Sequence, residues 1–226
     1  MRRIAGIALF TISLASGADL EGARDRQDKA ALEKAVAELS ASAARQPQDP
    51  AGQFRLASAQ SLLAEVAIEL RDKNLAKTAA EAGITAAERA VALKPNVAEY
   101  HRVLGTLCGQ VIPANVLLGM KYGRCAQDSI NKAIEIDPKS AMAYVSRGVG
   151  NYYLPPAFGG GVDPAIRDFQ KAIQLNPKSS EAYLWLGVAL RKAKRDAEAR
   201  QALAKSLEFN PNRLWAKQQL EKIPAK

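Results

Sequence analysis

The chain has 226 residues, of which 48% are hydrophobic, 24% are charged and 6% are aromatic. This length allows one domain or one array of repeats with a real core, and it excludes both a short peptide and a large multidomain assembly. The 43 alanines favour an all-helical fold, because alanine has the highest helix propensity. A net charge of +9 predicts a basic surface for acidic partners, although charge alone does not choose among protein, nucleic acid and anionic lipid.

The first 18 residues have the pattern of a cleavable secretory signal. Two arginines follow the initial Met1, residues 4–15 form a short apolar run, and small side chains at 16–18 precede Asp19. The apolar run is shorter than the ~20 residues that a membrane-spanning helix needs. We therefore expect cleavage after Ala18 and no stable membrane insertion. The mature chain, residues 19–226, is expected to be periplasmic or secreted, where nucleic acid is an unsuitable partner.

Export changes the interpretation of the two cysteines, Cys108 and Cys125. In an oxidising compartment an even number of cysteines permits a disulfide, and the alternative is two buried thiols. The sequence leaves both open, because a disulfide requires the two Cα atoms to come within ~7 Å of each other.

Helices are predicted along nearly all of the remaining chain. A flanking helix covers about 27–45, and a long helical run follows it with a turn near 72–74. Residues 109–123 read as an apolar loop, and residues 154–161 hold two prolines and three glycines, which indicate a non-helical turn. An amphipathic run over about 212–222 has the character of a capping helix, because a terminal repeat has no neighbour to cover its apolar face.

A repeated frame organises these helices. A proline lies nine residues before a paired signal such as Leu186-Gly187 in four places: Pro47, Pro95, Pro138 and Pro177. Small residues occur where two antiparallel helices must approach, and proline stops the second helix. The pattern resembles the tetratricopeptide repeat (TPR), a helix–turn–helix unit of 34 residues. The resemblance implies an all-α solenoid of about four antiparallel helix pairs, wound as a right-handed superhelix and similar to exported bacterial TPR proteins.

The spacing of the prolines exceeds the repeat length by amounts that fall along the chain. From Pro47 to Pro211 the successive distances are 48, 43, 39 and 34 residues, so the excesses over a 34-residue unit are 14, 9, 5 and 0. Each excess falls at the turn that joins the two helices of a repeat. We therefore expect enlarged turns that project from one edge of the solenoid, which we call the insertion edge.

The resemblance places positions 2, 5, 9, 12 and 13 of each first helix on the concave face. Together with the aromatic residue of the glycine turn, this register predicts a partner-binding set: Arg102, Met142, Val145, Val149, Tyr152, Tyr153, Phe158, Leu184, Val188 and Arg191. An apolar centre flanked by arginines suits an extended peptide or an amphipathic helix. The alternative is that the four aliphatic valine and leucine members only pack against a neighbouring helix or the C-terminal segment.

Two polar residues of the third repeat, Arg147 and Asn151, occupy positions where the family has apolar core residues. They are four residues apart and share one helical face. A buried guanidinium needs a partner, so we expect acceptors among carbonyls of the glycine turn or three aspartates, Asp128, Asp163 and Asp168. The structural interpretation is that Arg147 pins the glycine turn. The functional one is that it offers charge to an anionic ligand under Phe158.

The sequence carries no catalytic or metal-binding motif. The single histidine, His101, falls at a packing position, and with two scattered cysteines it cannot build an ordinary zinc site. The triple glycine at 159–161 lacks the following lysine and the preceding strand of a phosphate loop. We therefore expect no enzymatic activity, no cofactor and no metal.

Two hypotheses for function follow. The first is an exported TPR scaffold that binds another protein or peptide through its concave groove and insertion edge. The second is a periplasmic carrier of a small or apolar ligand that works with a transport system, as exported TPR proteins beside TRAP-type transporters do. An open groove lined by Met142, Tyr152 and Leu184 favours the first, and an enclosed cavity beneath the loops at 109–123 and 154–161 favours the second. Either is compatible with a homo-oligomer.

Overall fold

The computed structural model describes residues 17–115 and 117–224, so the predicted signal segment lies outside the described residues except for its last two positions. Within these ranges the chain forms eleven α-helices and no strand. Their bounds are α1 Gly17–Asp25, α2 Lys29–Arg45, α3 Pro50–Glu69, α4 Lys73–Leu93, α5 Ala98–Val111, α6 Leu118–Ile136, α7 Ala141–Tyr153, α8 Val162–Leu175, α9 Ser180–Lys192, α10 Asp196–Phe209 and α11 Leu214–Glu221. The predicted flanking and capping helices correspond to α2 and α11, whereas α1 was not predicted.

Short polar side chains begin several of the helices, and prolines follow the ends of others. The side chains of Asp28, Asp72 and Ser140 each accept a hydrogen bond from a backbone N–H in the first turn of the helix that follows. Such N-caps satisfy donors that have no partner inside the helix. At the other end, α4 stops at Leu93 and Pro95 follows it, because the residue before a proline is disfavoured in the helical region.

The helices pack in adjacent antiparallel pairs, α3 with α4, α5 with α6, α7 with α8 and α9 with α10. The first helices of successive pairs also contact one another and form an inner layer. A small residue is essential where the helices of a pair meet. A Cβ placed at Gly187 would lie 2.6 Å from a side-chain carbon of Leu203, and one at Gly148 would lie 2.5 Å from the ring of Phe169. The TPR-like solenoid predicted from the sequence is confirmed.

The enlarged turn of the first repeat consists of helix rather than loop. Helices α3 and α4 have 20 and 21 residues, whereas α9 and α10 of the uninserted repeat have 13 and 14. Seven extra residues make about two turns, so the apolar stripe of each helix keeps its direction toward its partner. The insertion therefore lengthens the first pair without changing how it packs.

The second and third turns differ in length. The prediction of an apolar loop over 109–123 is wrong at both ends, because α5 continues to Val111 and α6 begins at Leu118. Gly109 and Gly123 are tolerated inside these helices. The third turn is non-helical as predicted, with a 3-10 turn at Pro156–Phe158 and positive φ angles at Gly159 (84°) and Gly161 (110°). Glycine is the residue that adopts this region at low cost.

Candidate interaction surface

Aromatic side chains gather where α7 ends, beside α9 and α11. The ring centroids of Tyr152 and Tyr153 are 4.9 Å apart, those of Tyr152 and Trp185 are 6.0 Å apart, and those of Trp185 and Trp215 are 5.0 Å apart. The ammonium of Lys192 lies 4.1 Å from the centre of the Tyr152 ring and donates a hydrogen bond to the Tyr152 carbonyl. Tyr153 is 54% exposed. We call this group, with Phe158, the aromatic face.

Phe158 is held on a turn that is fastened to α7. The backbone N–H of Gly161 donates to the carbonyl of Asn151 at 2.8 Å, and that of Gly160 donates to the carbonyl of Pro155 at 3.2 Å. A Cβ at Gly160 would overlap the Leu154 carbonyl oxygen, so only glycine allows this close approach of backbone to backbone. The Phe158 side chain is 73% exposed on this fixed turn.

Arg147 and Asn151 both bind Asp168 of α8. The guanidinium donates to the carboxylate at 2.6 Å from Nη2 and at 3.1 Å from Nε, and the Asn151 amide donates to Oδ2 at 2.9 Å. These hydrogen bonds raise the pKa of Arg147. Asp168 is thus the acceptor among the three predicted aspartates, and the pair joins α7 to α8.

Two details of the Arg147 prediction are wrong. The Arg147 side chain is 38% exposed rather than buried, and the buried partner is Asp168 at 8%. The glycine turn is fastened by the Asn151 carbonyl and not by the guanidinium. Because Asp168 neutralises the arginine, the charge offers little to an anionic ligand under Phe158.

Several predicted groove residues are buried in the core. Val145, Leu184 and Val188 are exposed by 4%, 0% and 4%, and the half-buried Val149 packs against the same apolar cluster. The prediction that these residues face a partner is wrong. Packing of α9 against α7, α8 and α10 places Val145, Leu184 and Val188 inside this cluster, with Val149 at its edge. The packing alternative applies to all four.

The two flanking arginines bind residues of the chain itself. Arg102 donates to Glu99 at 2.7 Å and to the Ser146 hydroxyl at 3.3 Å. Arg191 donates to the side chain of Gln219 at 3.1 Å. Met142 remains accessible, 38% exposed, at the opposite end of α7 from the aromatic face. Eleven residues separate it from Tyr153, about 16 Å along the helix. The predicted set therefore divides, and its exposed aromatic members are at one end.

A buried ionic cluster, which no sequence pattern indicated, lies where the two ends of the solenoid meet. Arg213, which precedes α11, is fully buried and forms ion pairs with Glu65 and Glu69 of α3. It also bonds Glu181 of α9 at 3.1 Å and lies 3.8 Å from Asp25. Glu65 is 148 positions away from Arg213 in the chain, and Asp25 is farther still. The local signals were two glutamates one turn apart in α3 and an arginine ahead of the last helix.

A second arginine, Arg24 of α1, completes this cluster. It contacts Glu181 at 3.2 Å and Asp25 at 2.7 Å. Burial raises the pKa of the Glu65 carboxyl to about 7, because its effect is larger than the opposite effect of the neighbouring arginines. Burial also raises the pKa of Glu69. We call the six residues Arg24, Asp25, Glu65, Glu69, Glu181 and Arg213 the end cluster. It closes the gap between the first and last helices of the inner layer.

A disulfide joins the helices of the second repeat. Cys108 of α5 and Cys125 of α6 are bonded, with their Cα atoms 6.0 Å apart. This resolves the pairing that the sequence left open in favour of the disulfide.

Two cavities of the described residues lie away from the predicted loops. One, of about 370 Å³, is lined mainly by α9 and α10, and another, of about 260 Å³, is lined by residues between 40 and 89. Neither includes a residue of the 109–123 or 154–161 segments. Across residues 17–115 and 117–224, no cluster of metal-ligating side chains occurs. None of the helices in the described part combines the length and apolar character needed to cross a bilayer.

Comparison with known proteins identifies the class. Residues 159–213 match the tetratricopeptide repeat model. A thermophilic TPR protein from Thermus thermophilus has a similar structure, with a TM-score of 0.63 and 21% sequence identity over 86% of this chain and 91% of that one. The chain is thus a TPR α-solenoid, a class whose repeats serve as protein-interaction scaffolds. Residues 19–154, more than half of the chain, match the family described as Regulator of microtubule dynamics protein 1-3, and the chain belongs to that family.

A second solved structure shares the fold. The HusA haemophore from Porphyromonas gingivalis has a TM-score of 0.57 and is 18% identical over 79% of this chain and 96% of that one. At this identity the likeness concerns the fold alone. No curated protein matches the sequence significantly.

Proposed function

We propose that this protein is a non-catalytic scaffold that binds another polypeptide at the aromatic face of its third repeat. The observation that carries the proposal is the exposure of Tyr153 and Phe158, with the Tyr153 ring in edge-to-face contact with Tyr152 and Trp185. Aromatic side chains that are fixed before binding lose little conformational entropy, and they dominate the energetics of many interfaces. We keep the scaffold function inferred from the sequence, but we place the binding surface at the end of α7 rather than in the concave groove.

The surroundings of the aromatic face indicate the chemistry of the partner. Lys192 lies over Tyr152 and Arg191 is half-buried nearby in the same helix turn, so the rim is basic. A segment with an aromatic or aliphatic anchor and an adjacent acidic residue would bury the exposed rings and pair with the rim. Other exposed apolar side chains of the insertion edge, Leu117 at 71% and Met120 at 89%, offer a secondary contact.

The test is capture of a stoichiometric partner by the immobilised protein, repeated with Tyr153→Ala and Phe158→Ala. Both side chains are largely exposed, so each variant should keep its melting temperature while losing most of the captured partner. Leu70→Ala is the matched control, since it removes an exposed apolar side chain, 47% accessible, to which the proposal assigns no contact. Equal capture by all variants, or equal loss in the control, would contradict the placement at the third repeat.

We also propose that the protein is exported and acts in an oxidising compartment, periplasmic or extracellular. The signal-like start of the sequence and the disulfide between Cys108 and Cys125 support this, because disulfides persist mainly outside reducing compartments. The mature protein isolated from the cell envelope should begin at Asp19 and contain no free thiol by mass spectrometry. A retained Met1, or two free thiols, would contradict it.

The carrier hypothesis has less support. It required an enclosed cavity beneath the 109–123 and 154–161 loops, whereas the two cavities described above lie elsewhere and are open to solvent. A small molecule retained in native mass spectrometry at one copy per chain would restore that hypothesis.

A further inference from the structure

The end cluster lies where a TPR array would otherwise have two free ends. It joins α1 and α3 at the start of the chain to α9 and the segment before α11 at its end. Hydrogen bonds from uncharged side chains accompany it, from Asn210 to Asp25 at 2.7 Å and between Gln27 and Gln218 at 3.1 Å. The contacts therefore span the whole solenoid and close it on itself.

The charges of the cluster do not balance when all its groups are ionised. Two guanidiniums, Arg24 and Arg213, face four carboxyl groups, an excess of two negative charges in a region where Arg213 is 0%, Glu69 3% and Glu65 24% exposed. Taking an unbalanced charge out of water is costly, so a buried carboxyl group binds a proton instead. Glu65 and Glu69 lie one helical turn apart and bond the same guanidinium. They are therefore the pair that would share the bound proton.

We propose that the end cluster is a proton-coupled clasp, in which closing the solenoid places one proton on the Glu65–Glu69 pair, so that mild acid holds the two ends together and mild alkali loosens them. Loosening would separate α1 and α11 from the inner layer and expose the ends of α3 and α9. The inference goes beyond the proposed function and does not depend on it, because it concerns the ends of the chain and requires no partner.

The direction of the pH dependence follows from the protonation state of Glu65 in the closed and open forms of the solenoid. In the closed form burial raises the pKa of Glu65 to about 7, so its carboxyl is mostly protonated at pH 6 and mostly ionised at pH 8. In the open form the carboxyl is in water, with an ordinary pKa of about 4.3, and is ionised at both pH values. Closing therefore takes up a proton at pH 6 and almost none at pH 8. The equilibrium constant for closing should fall about tenfold between these two values.

Four charged groups of the end cluster face the pair, whereas α2, α4 and α5, which also pack against α3, contribute none of the main charges acting on it. They lie in α1, α9 and the segment before α11: Arg24, Asp25, Glu181 and Arg213. The guanidiniums remain charged throughout this range. Glu181 and Asp25 add negative charge, which favours the proton on the pair.

The experiment measures amide hydrogen exchange of α1 and α11 in the purified protein at pH 6 and pH 8, with rates corrected for the intrinsic dependence of exchange on pH. We expect protection of both helices to fall about tenfold at pH 8, while α5 and α6, which the disulfide joins, stay unchanged. The double variant Glu65→Gln/Glu69→Gln carries permanently uncharged side chains and should keep high protection at both pH values. Glu198→Gln, which changes an exposed ion pair in α10, should retain the wild-type change.

Arg213→Gln provides the opposite perturbation. It removes the shared partner, so α1 and α11 should be weakly protected at both pH values, with the helical circular dichroism of the rest retained. Equal protection of the wild-type helices at pH 6 and pH 8 would overturn the proposal. So would a tenfold change that survives in the double variant.

Discussion

Replacing Arg147 by leucine tests the contact that joins the two helices of the third repeat. The variant removes the guanidinium from Asp168, whose side chain is 8% exposed, and leaves the Asn151 amide in place. Breaking a fully buried ion pair costs about 3–5 kcal/mol. Here the arginine is 38% exposed and one partner remains, so the cost should be nearer that of a partly unsatisfied buried group, about 1–3 kcal/mol.

The assay is urea unfolding followed by circular dichroism, with thermal unfolding as a second measure. A loss of 1 kcal/mol in a chain of this size lowers the melting temperature by roughly 2–4 °C. The matched control is Arg195→Leu, because Arg195 pairs with Glu198 where both side chains are about half exposed. Such surface pairs contribute at most about 1 kcal/mol.

A double variant separates the ion pair from other effects of the substitution. Combining Arg147→Leu with Asp168→Asn leaves no unpaired carboxylate, so the two changes together should cost less than the sum of the single changes. If Arg147→Leu destabilises the protein no more than Arg195→Leu does, or if the two changes are additive, the assignment of a structural role to Arg147 is refuted.

Three further predictions concern packing and the disulfide. Gly187→Val should destabilise by about 1–3 kcal/mol in urea unfolding, since its Cβ would lie 2.6 Å from the facing leucine, whereas Gly150→Ala meets no atom within 4 Å and should be neutral or stabilising. Phe169→Ala, at a fully buried ring, should cost about 3–5 kcal/mol by the same measure. Reduction of the bond between Cys108 and Cys125, 17 positions apart, should cost about 3 kcal/mol, measured as a shift in the urea midpoint.

Each of these has an outcome that contradicts it. Tolerance of valine at Gly187 would mean that the paired helices approach less closely than described. A small effect at Phe169 would mean that the C-terminal core rearranges around the lost ring. An unchanged midpoint after reduction, with complete loss of the disulfide shown by mass spectrometry, would mean that α5 and α6 are fixed by packing alone.

Local and periodic features were predictable from the sequence. The prolines and the small residues at Gly148 and Gly187 follow from the geometry of a helix pair, so the repeat frame and the helix ends could be derived without a structure. The seven-residue extension of each helix in the first repeat was predictable for the same reason, since only whole turns keep an apolar stripe aligned. The turn at 154–161 was predictable from its prolines and glycines.

The candidate site was only partly predictable. Register identified Tyr153 and the glycine turn indicated Phe158, but register also selected Val145 and Leu184, because it fixes which helix face points inward and not whether neighbouring side chains cover it. The length of the loop over 109–123 was overestimated. Glycine lowers helix propensity, but it does not prevent a helix from forming where neighbouring helices hold the backbone in place. Arg213 could not be assigned, because its partners lie in α1, α3 and α9 and no local rule links them.

The extra length of the first repeat has a consequence for the shape of the whole array. The last seven residues of α3 are those that exceed the 13-residue length of α9, and they run from Leu63 to Glu69. Both glutamates that bind Arg213 through α3 belong to this segment. Without it, the helix pair would pack as before, but it would stop short of the far end. Two added turns in one repeat thus carry both glutamates to the far end of the array, so helix length alone can create a contact between repeats that are distant in the chain.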